Sequence, residues 1–211
     1  GGSGFDLYRG FVEASNMKYV SRAVVGAYRV GFGRGLLFGQ QSYGGRLLQV
    51  LNRASASYGV SGYGGMSEQP VLVGTAAKIR IGDFSITPFW GYTLLDADTI
   101  GGMWRSYSTS GYHRSVAEIT RRGTLDLHTI GINASYNRRY YNVGVSAYGG
   151  FFSLPAVVGK DDWAINDFVG QNQWGVSVDY TFHRCSIWFL GETAMSQGLV
   201  VATTNTLLVR P

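Results

Sequence analysis

From Gln173 to Arg184 the chain alternates without a break: Trp174, Val176, Val178, Tyr180 and Phe182 share one face of an extended segment, and Gly175, Ser177, Asp179, Thr181 and His183 share the other. Unbroken period two over this length predicts a β-strand. The apolar face is aromatic at its ends and aliphatic in its middle, while the opposite face carries small, hydroxyl and ionisable groups. This is how a transmembrane β-barrel strand is built, with lipid on one side and a polar lumen on the other. Trp174, Val176, Val178, Tyr180 and Phe182 are therefore expected to face lipid, and Ser177, Asp179, Thr181 and His183 the lumen.

The pattern recurs. Val71, Val73, Thr75, Ala77, Ile79 and Ile81 alternate with Leu72, Gly74, Ala76, Lys78 and Arg80; Ile130, Ile132, Ala134 and Tyr136 alternate with Thr129, Gly131, Asn133 and Ser135; and Tyr141, Val143, Val145 and Ala147 alternate with Asn142, Gly144, Ser146 and Tyr148. Lys78, Arg80, Asn133 and Ser135 join the expected pore lining. Weaker alternation runs through Tyr19 to Phe32, Phe84 to Leu95, Cys185 to Ala194 and Leu199 to Val209. The total is about nine or ten strands of about ten residues, the length a tilted strand needs to cross hydrocarbon. Pro88 falls inside one run, where its missing donor predicts an edge, a bulge or a bend.

Tight connections are expected at Ile81-Gly82-Asp83-Phe84, Asn137-Arg138-Arg139-Tyr140 and His183-Arg184-Cys185-Ser186, and long ones from about Gln40 to Pro70, Asp96 to Thr124 and Ser153 to Gln171. Short turns at one end and long loops at the other match the two sides of an outer-membrane barrel. Within the second long loop, Ser115-Val116-Ala117-Glu118 forms a capping box and Gly123 a stop, which predicts a short helix. An apolar helix face made by Val116 and Ile119 needs a surface to bury against, so the loop Gly101 to Gly123 is expected to fold into the barrel mouth. His113, Arg114 and Glu118 are its plug candidates. His113 and Arg114 either bind an anionic ligand or pin the loop to lumenal carboxylates such as Asp179 or Glu192.

Composition adds to this picture. Aromatic residues make up 14% of the chain, with 14 Tyr, 31 Gly and only 4 Pro, and mean hydropathy is near zero. An apolar band spread over alternate positions gives these values without any run long enough for a transmembrane helix. The formal charge of +5 suits lumenal and rim cations facing lipopolysaccharide phosphates better than a nucleic-acid footprint. The lone Cys185 excludes an internal disulfide and reads as a turn or strand residue.

Ser110-Gly111-Tyr112-His113-Arg114-Ser115 with Glu118-Ile119, followed by Thr129-Ile130-Gly131-Ile132-Asn133-Ala134-Ser135-Tyr136, resembles the barrel region of Gram-negative outer-membrane proteins that carry N-terminal helix-hairpin-helix domains. Gly4-Phe5-Asp6 with Tyr8, and Val25-Gly26-Ala27-Tyr28 through Phe32-Gly33-Arg34-Gly35-Leu36, are similar to the same family, which tends to have Asp and Gln where Ala27 and Arg34 stand. The resemblance covers most of the chain in order. It implies one barrel region over residues 1–211, incomplete without a helix-hairpin-helix domain and further C-terminal strands, in the bacterial outer membrane. Its partners would be outer-membrane lipid, lipopolysaccharide and other outer-membrane proteins or lipoproteins. Nucleic-acid contact belongs to the helix-hairpin-helix module, not to these residues.

Catalytic chemistry finds little support. Asp179 and His183 sit four residues apart on one strand face, about 13 Å between Cα atoms, and a hydrolase would need Ser177 and His128 to join from neighbouring strands. Asp161, Asp162 and Asp167 lack calcium-loop spacing, and Gly31-Phe32-Gly33-Arg34-Gly35 has no helix after it to make a dinucleotide site. No metal and no cofactor are expected. The fold class expected is all-β, an antiparallel outer-membrane barrel with a short helix in one loop. The function expected is a non-catalytic gated or plugged pore or a subunit of a larger complex. The alternatives are a barrel linked to DNA handling or uptake, and an outer-membrane hydrolase.

Overall fold

A computed structural model describes residues 10–38, 59–65, 71–108, 115–157 and 168–209. Among these residues eleven strands form a single sheet: β1 (Phe11–Ser15), β2 (Val20–Gly31), β3 (Gly59–Gly62), β4 (Leu72–Ile81), β5 (Phe84–Ile100), β6 (Met103–Ser108), β7 (Leu125–Asn137), β8 (Tyr141–Ala156), β9 (Gly170–Arg184), β10 (Ile187–Ser196) and β11 (Val200–Val209), accompanied by the α-helix α1 (Val116–Arg121). The protein is all-β with a barrel core. Consecutive neighbours β1, β2, β4, β5, β7, β8, β9, β10 and β11 pair antiparallel, while β3 adds to one end of β2 and β6 to one end of β5. Among the described residues no ladder joins β1 to β11.

β5 shows why these segments are strands and how they face. Ser85, Thr87, Phe89, Gly91, Thr93, Leu95 and Ala97 are buried; Phe84, Ile86, Pro88, Trp90, Tyr92 and Leu94 are exposed. Alternation continues through Asp96 and Asp98, so β5 runs 17 residues instead of ending near Leu95. Its extension pairs with β6 and encloses an apolar cluster of Leu95, Ala97, Trp104, Leu125, Phe152 and Ala156. The expected long loop from Asp96 to Thr124 is thus largely ordered strand, hairpin and helix.

Pro88 marks neither an edge nor a bend. β5 is paired on both sides, and the register with β4 is the same at Ala76↔Phe89 and Ile79↔Ile86. The only trace is that pairing lapses opposite Pro88 and Thr87, because the ring removes the amide hydrogen that would reach β4. The three expected tight turns are present. Gly82 takes φ 61° in one, and Cys185, exposed, takes φ 52° in another.

Gly26, Gly74 and Gly91 lie opposite one another across β2, β4 and β5. The space they leave is filled by Tyr28, fully buried, whose hydroxyl donates to the Trp90 carbonyl at 2.7 Å and lies 3.1 Å from where a Gly91 Cβ would stand. Three missing side chains let the backbones approach closely here.

α1 has the expected capping box, with Ser115 Oγ accepting from the Glu118 amide and the Glu118 carboxylate accepting from the Ser115 amide. Its location corrects the expectation of a plug. No residue of α1 is buried, Val116 is 82% exposed and Ile119 58%. The helix is tied to the end of β5 instead, through Arg121 to Asp98 at 3.5 Å and the Gly123 amide to Asp96. Polar anchors on the β5 extension hold it outside the lumen. His113 and Arg114 lie outside the described residues.

Candidate functional site

What fills the barrel is the segment directly after β2. Gly33 and Gly35 take φ of 59° and 83°, conformations that cost glycine little, and fold Phe32 to Phe38 inward. Phe38 packs on Phe89 and Tyr148, both at 5.3 Å between ring centroids and both edge-to-face, and on Phe32 at 5.8 Å. With Val24, Tyr28, Val60 and Ala76 these rings make a second apolar cluster, here inside the barrel. Leu37 covers Gly175 on the far wall.

A polar latch accompanies this stopper. Glu192 on β10 is fully buried, and its Oε2 accepts from the backbone amides of Arg34 at 2.6 Å and Leu36 at 3.0 Å. The Arg34 guanidinium donates to Thr181 Oγ1 and lies in the field of both Asp179 and Glu192. Asp179 and Glu192 are directly opposite in the β9–β10 ladder. Two neighbouring carboxylates repel each other, and Arg34 offsets that repulsion from between them. Two glycines accommodate the pair: a Cβ on Gly33 would lie 2.8 Å from the Glu192 carboxyl carbon, and one on Gly144 would lie 2.3 Å from Asp179 Oδ1.

Between the stopper and the tight-turn end lies a polar cavity of about 510 Å³. Of the expected pore-lining residues it brings together Lys78, Asn133, Ser135, Asp179, Thr181 and His183. Ser177 is buried in the adjoining row, with Asn133 Nδ2 donating to Ser146 Oγ at 2.9 Å beside it. Arg80 is exposed at the end of β4 and does not line the cavity. His183 stacks on Trp188 at 4.6 Å. Trp174, Val176, Val178 and Phe182 are exposed on the outer face; Tyr180 shares that face, half-buried, its hydroxyl hydrogen-bonded to Asn205. Glu118 serves the helix cap.

The hydrolase constellation does not assemble. His128 points outward, its ring 6.2 Å from Trp90, while Ser177 and Asp179 point inward. Sequence reasoning also missed the stopper. Arg34 stood out only as a departure from a family pattern, and Glu192 only as a possible anchor for a different loop. The signal available was Phe32-Gly33-Arg34-Gly35 followed by Leu36, Leu37 and Phe38, an apolar run broken by two glycines and one cation, which suits a segment packed among side chains rather than a strand. The chain matches no family model, no curated protein and no solved structure.

Proposed function

We propose that this chain forms an outer-membrane-type transmembrane β-barrel without catalytic activity, a pore stoppered by Phe32 to Phe38. The observation that carries the reading is the inversion of burial. Ser85, Thr87, Asn133, Ser146, Ser177, Asp179 and Glu192 are buried, while Ile86, Trp90, Ile130, Ile132, Val145, Trp174, Val178, Phe189 and Leu207 are exposed over consecutive strands. An apolar belt running over consecutive strands is rare on soluble monomers, and hydrocarbon is the solvent it suits. Trp90, Ile130, Gly149 and Trp174 pair in register across four strands, with the two indoles on the outer face.

The pore reading is favoured over a solid scaffold because the stopper is not part of the ladder. It is held by side-chain and side-chain-to-backbone contacts that can be broken without unpairing a strand. The resemblance to helix-hairpin-helix outer-membrane proteins supports the bacterial outer membrane as location, with lipid, lipopolysaccharide and other outer-membrane proteins or lipoproteins as neighbours. Any DNA contact would come from that module. The opposite facing of His128 and Ser177 supports a non-catalytic barrel.

Tryptophan fluorescence in vesicles of lipids brominated on the acyl chains tests membrane insertion. Strong quenching is expected in the wild-type protein, most of it lost in the Trp90→Phe/Trp174→Phe double variant and little of it in Trp188→Phe, whose indole points inward. Emission indifferent to bromination would remove the membrane reading.

A further inference from the structure

We infer that the cavity between the stopper and the tight-turn end binds a small zwitterion of about tripeptide length, with its carboxylate toward Lys78 and its ammonium toward Asp179. This names the solute class of the proposed pore and rests on that reading for its purpose, though binding itself needs only the folded barrel.

The charges are placed on opposite walls. Lys78 projects from β4, and Asp179 from β9, with β5, β7 and β8 between them. Four inter-strand steps of about 4.8 Å make an arc of roughly 19 Å, so the two groups face each other across the lumen. On the β9–β10 wall, two carboxylates (Asp179 and Glu192) against one guanidinium (Arg34) leave a net charge of −1. On the β4 wall, Arg22 opposite Lys78 is engaged by Glu13 at 3.2 Å and by the Val60 carbonyl at 2.9 Å, which among the described residues leaves Lys78 as the uncompensated charge. Arg80 at the strand end strengthens the same sign, and Arg138 at the mouth is paired with Asp83 at 2.9 Å.

The wall between the poles is neutral and hydrogen-bonding. Thr87, Asn133 and Asn142 line it, suited to the amide groups of a short peptide. On the carboxylate wall Asp179 itself lines the cavity, and a carboxylate there favours a donor-rich cation such as an ammonium. The volume of about 510 Å³ falls in the range of small-ligand sites. An extended tripeptide spans about 10 Å. An anion alone would leave the Asp179 wall unsatisfied, and a cation alone would leave Lys78 so.

Calorimetric titration of the folded barrel in detergent micelles tests this with triglycine as the probe. Triglycine is expected to bind, and N-acetyl-triglycine and triglycine amide to bind about tenfold more weakly or worse, each having lost one charge-assisted contact. Lys78→Gln should abolish the penalty for amidation alone, Asp179→Asn the penalty for acetylation alone, and Lys78→Arg should keep both. A folded barrel that gives no heat with triglycine, or that binds all three probes equally, overturns the inference. Because the titration needs no open pore, a barrel that binds triglycine yet never conducts would overturn the pore and leave this site standing.

Discussion

If the proposed pore is stoppered by Phe32 to Phe38, replacing Glu192 with alanine is expected to turn a silent barrel into a conducting one. The wild-type carboxylate holds the stopper by accepting from the Arg34 and Leu36 amides, and hydrogen bonds to a charged acceptor contribute about 1.5–3 kcal/mol each. Losing both moves the balance between seated and released stopper by about two orders of magnitude or more. The fold should survive, since Glu192→Ala also removes a buried charge that repels Asp179 across the ladder. Arg34→Ala, outside any strand, loses the Thr181 contact and the attraction to both carboxylates, and is expected to open the pore less. Glu192→Gln keeps an oxygen acceptor and should open it least. Single-channel recording in planar bilayers checks the order, with heat-modified electrophoretic mobility reporting that each barrel is folded. Silence in all three folded variants would leave a scaffold, not a gate.

The latch was hard to read in the sequence because its partners are 158 positions apart, and nothing local in either segment names the other. β9 was legible for the opposite reason. Its two faces differ so sharply, Trp174 to Phe182 against Gly175 to His183, that one strand specifies its own orientation. β2 was only faintly legible, since its inward face of Arg22, Val24, Gly26 and Tyr28 is as apolar as its outer one and its packing is decided by Tyr28 filling space vacated on neighbouring strands. The end of β5 was read as loop because Asp96-Ala97-Asp98 is polar by composition. The strand continues there because β6 and the helix anchors occupy those groups. The capping box fixed the existence of α1 but not its place: Val116 and Ile119 suggested a buried face, and the anchoring carboxylates at Asp96 and Asp98 decided otherwise. Eleven strands stand where about nine or ten were expected, β3 and β6 being short and attached to the ends of longer neighbours.

The glycines where β2, β4 and β5 approach closely give the largest effect on folding. A Cβ on Gly74 would stand 2.2 Å from the Trp90 carbonyl oxygen and 2.6 Å from the Gly91 Cα. Both obstacles are backbone, so no rotamer change relieves the clash, and relief requires β4 and β5 to part at the Gly74–Gly91 pair, where their ladder is continuous. Parting them also withdraws the Trp90 carbonyl from the Tyr28 hydroxyl and loosens a ring of the apolar cluster that Phe32 and Phe38 join. Gly74→Ala is therefore expected to cost more than about 4 kcal/mol, a large share of the roughly 5–15 kcal/mol that holds a typical domain together. Gly149→Ala is the matched control on the same sheet. Its Cβ would meet nothing nearer than the Phe151 ring at 3.4 Å, and its stability should stay within about 0.5 kcal/mol of wild type. Urea unfolding of the barrel in lipid, followed by the loss of heat-modified mobility, separates the two. If the Gly74→Ala midpoint matched that of Gly149→Ala, the wall could flatten at negligible cost, and the close approach of β2, β4 and β5 would be a consequence of the glycines, not a condition of the fold.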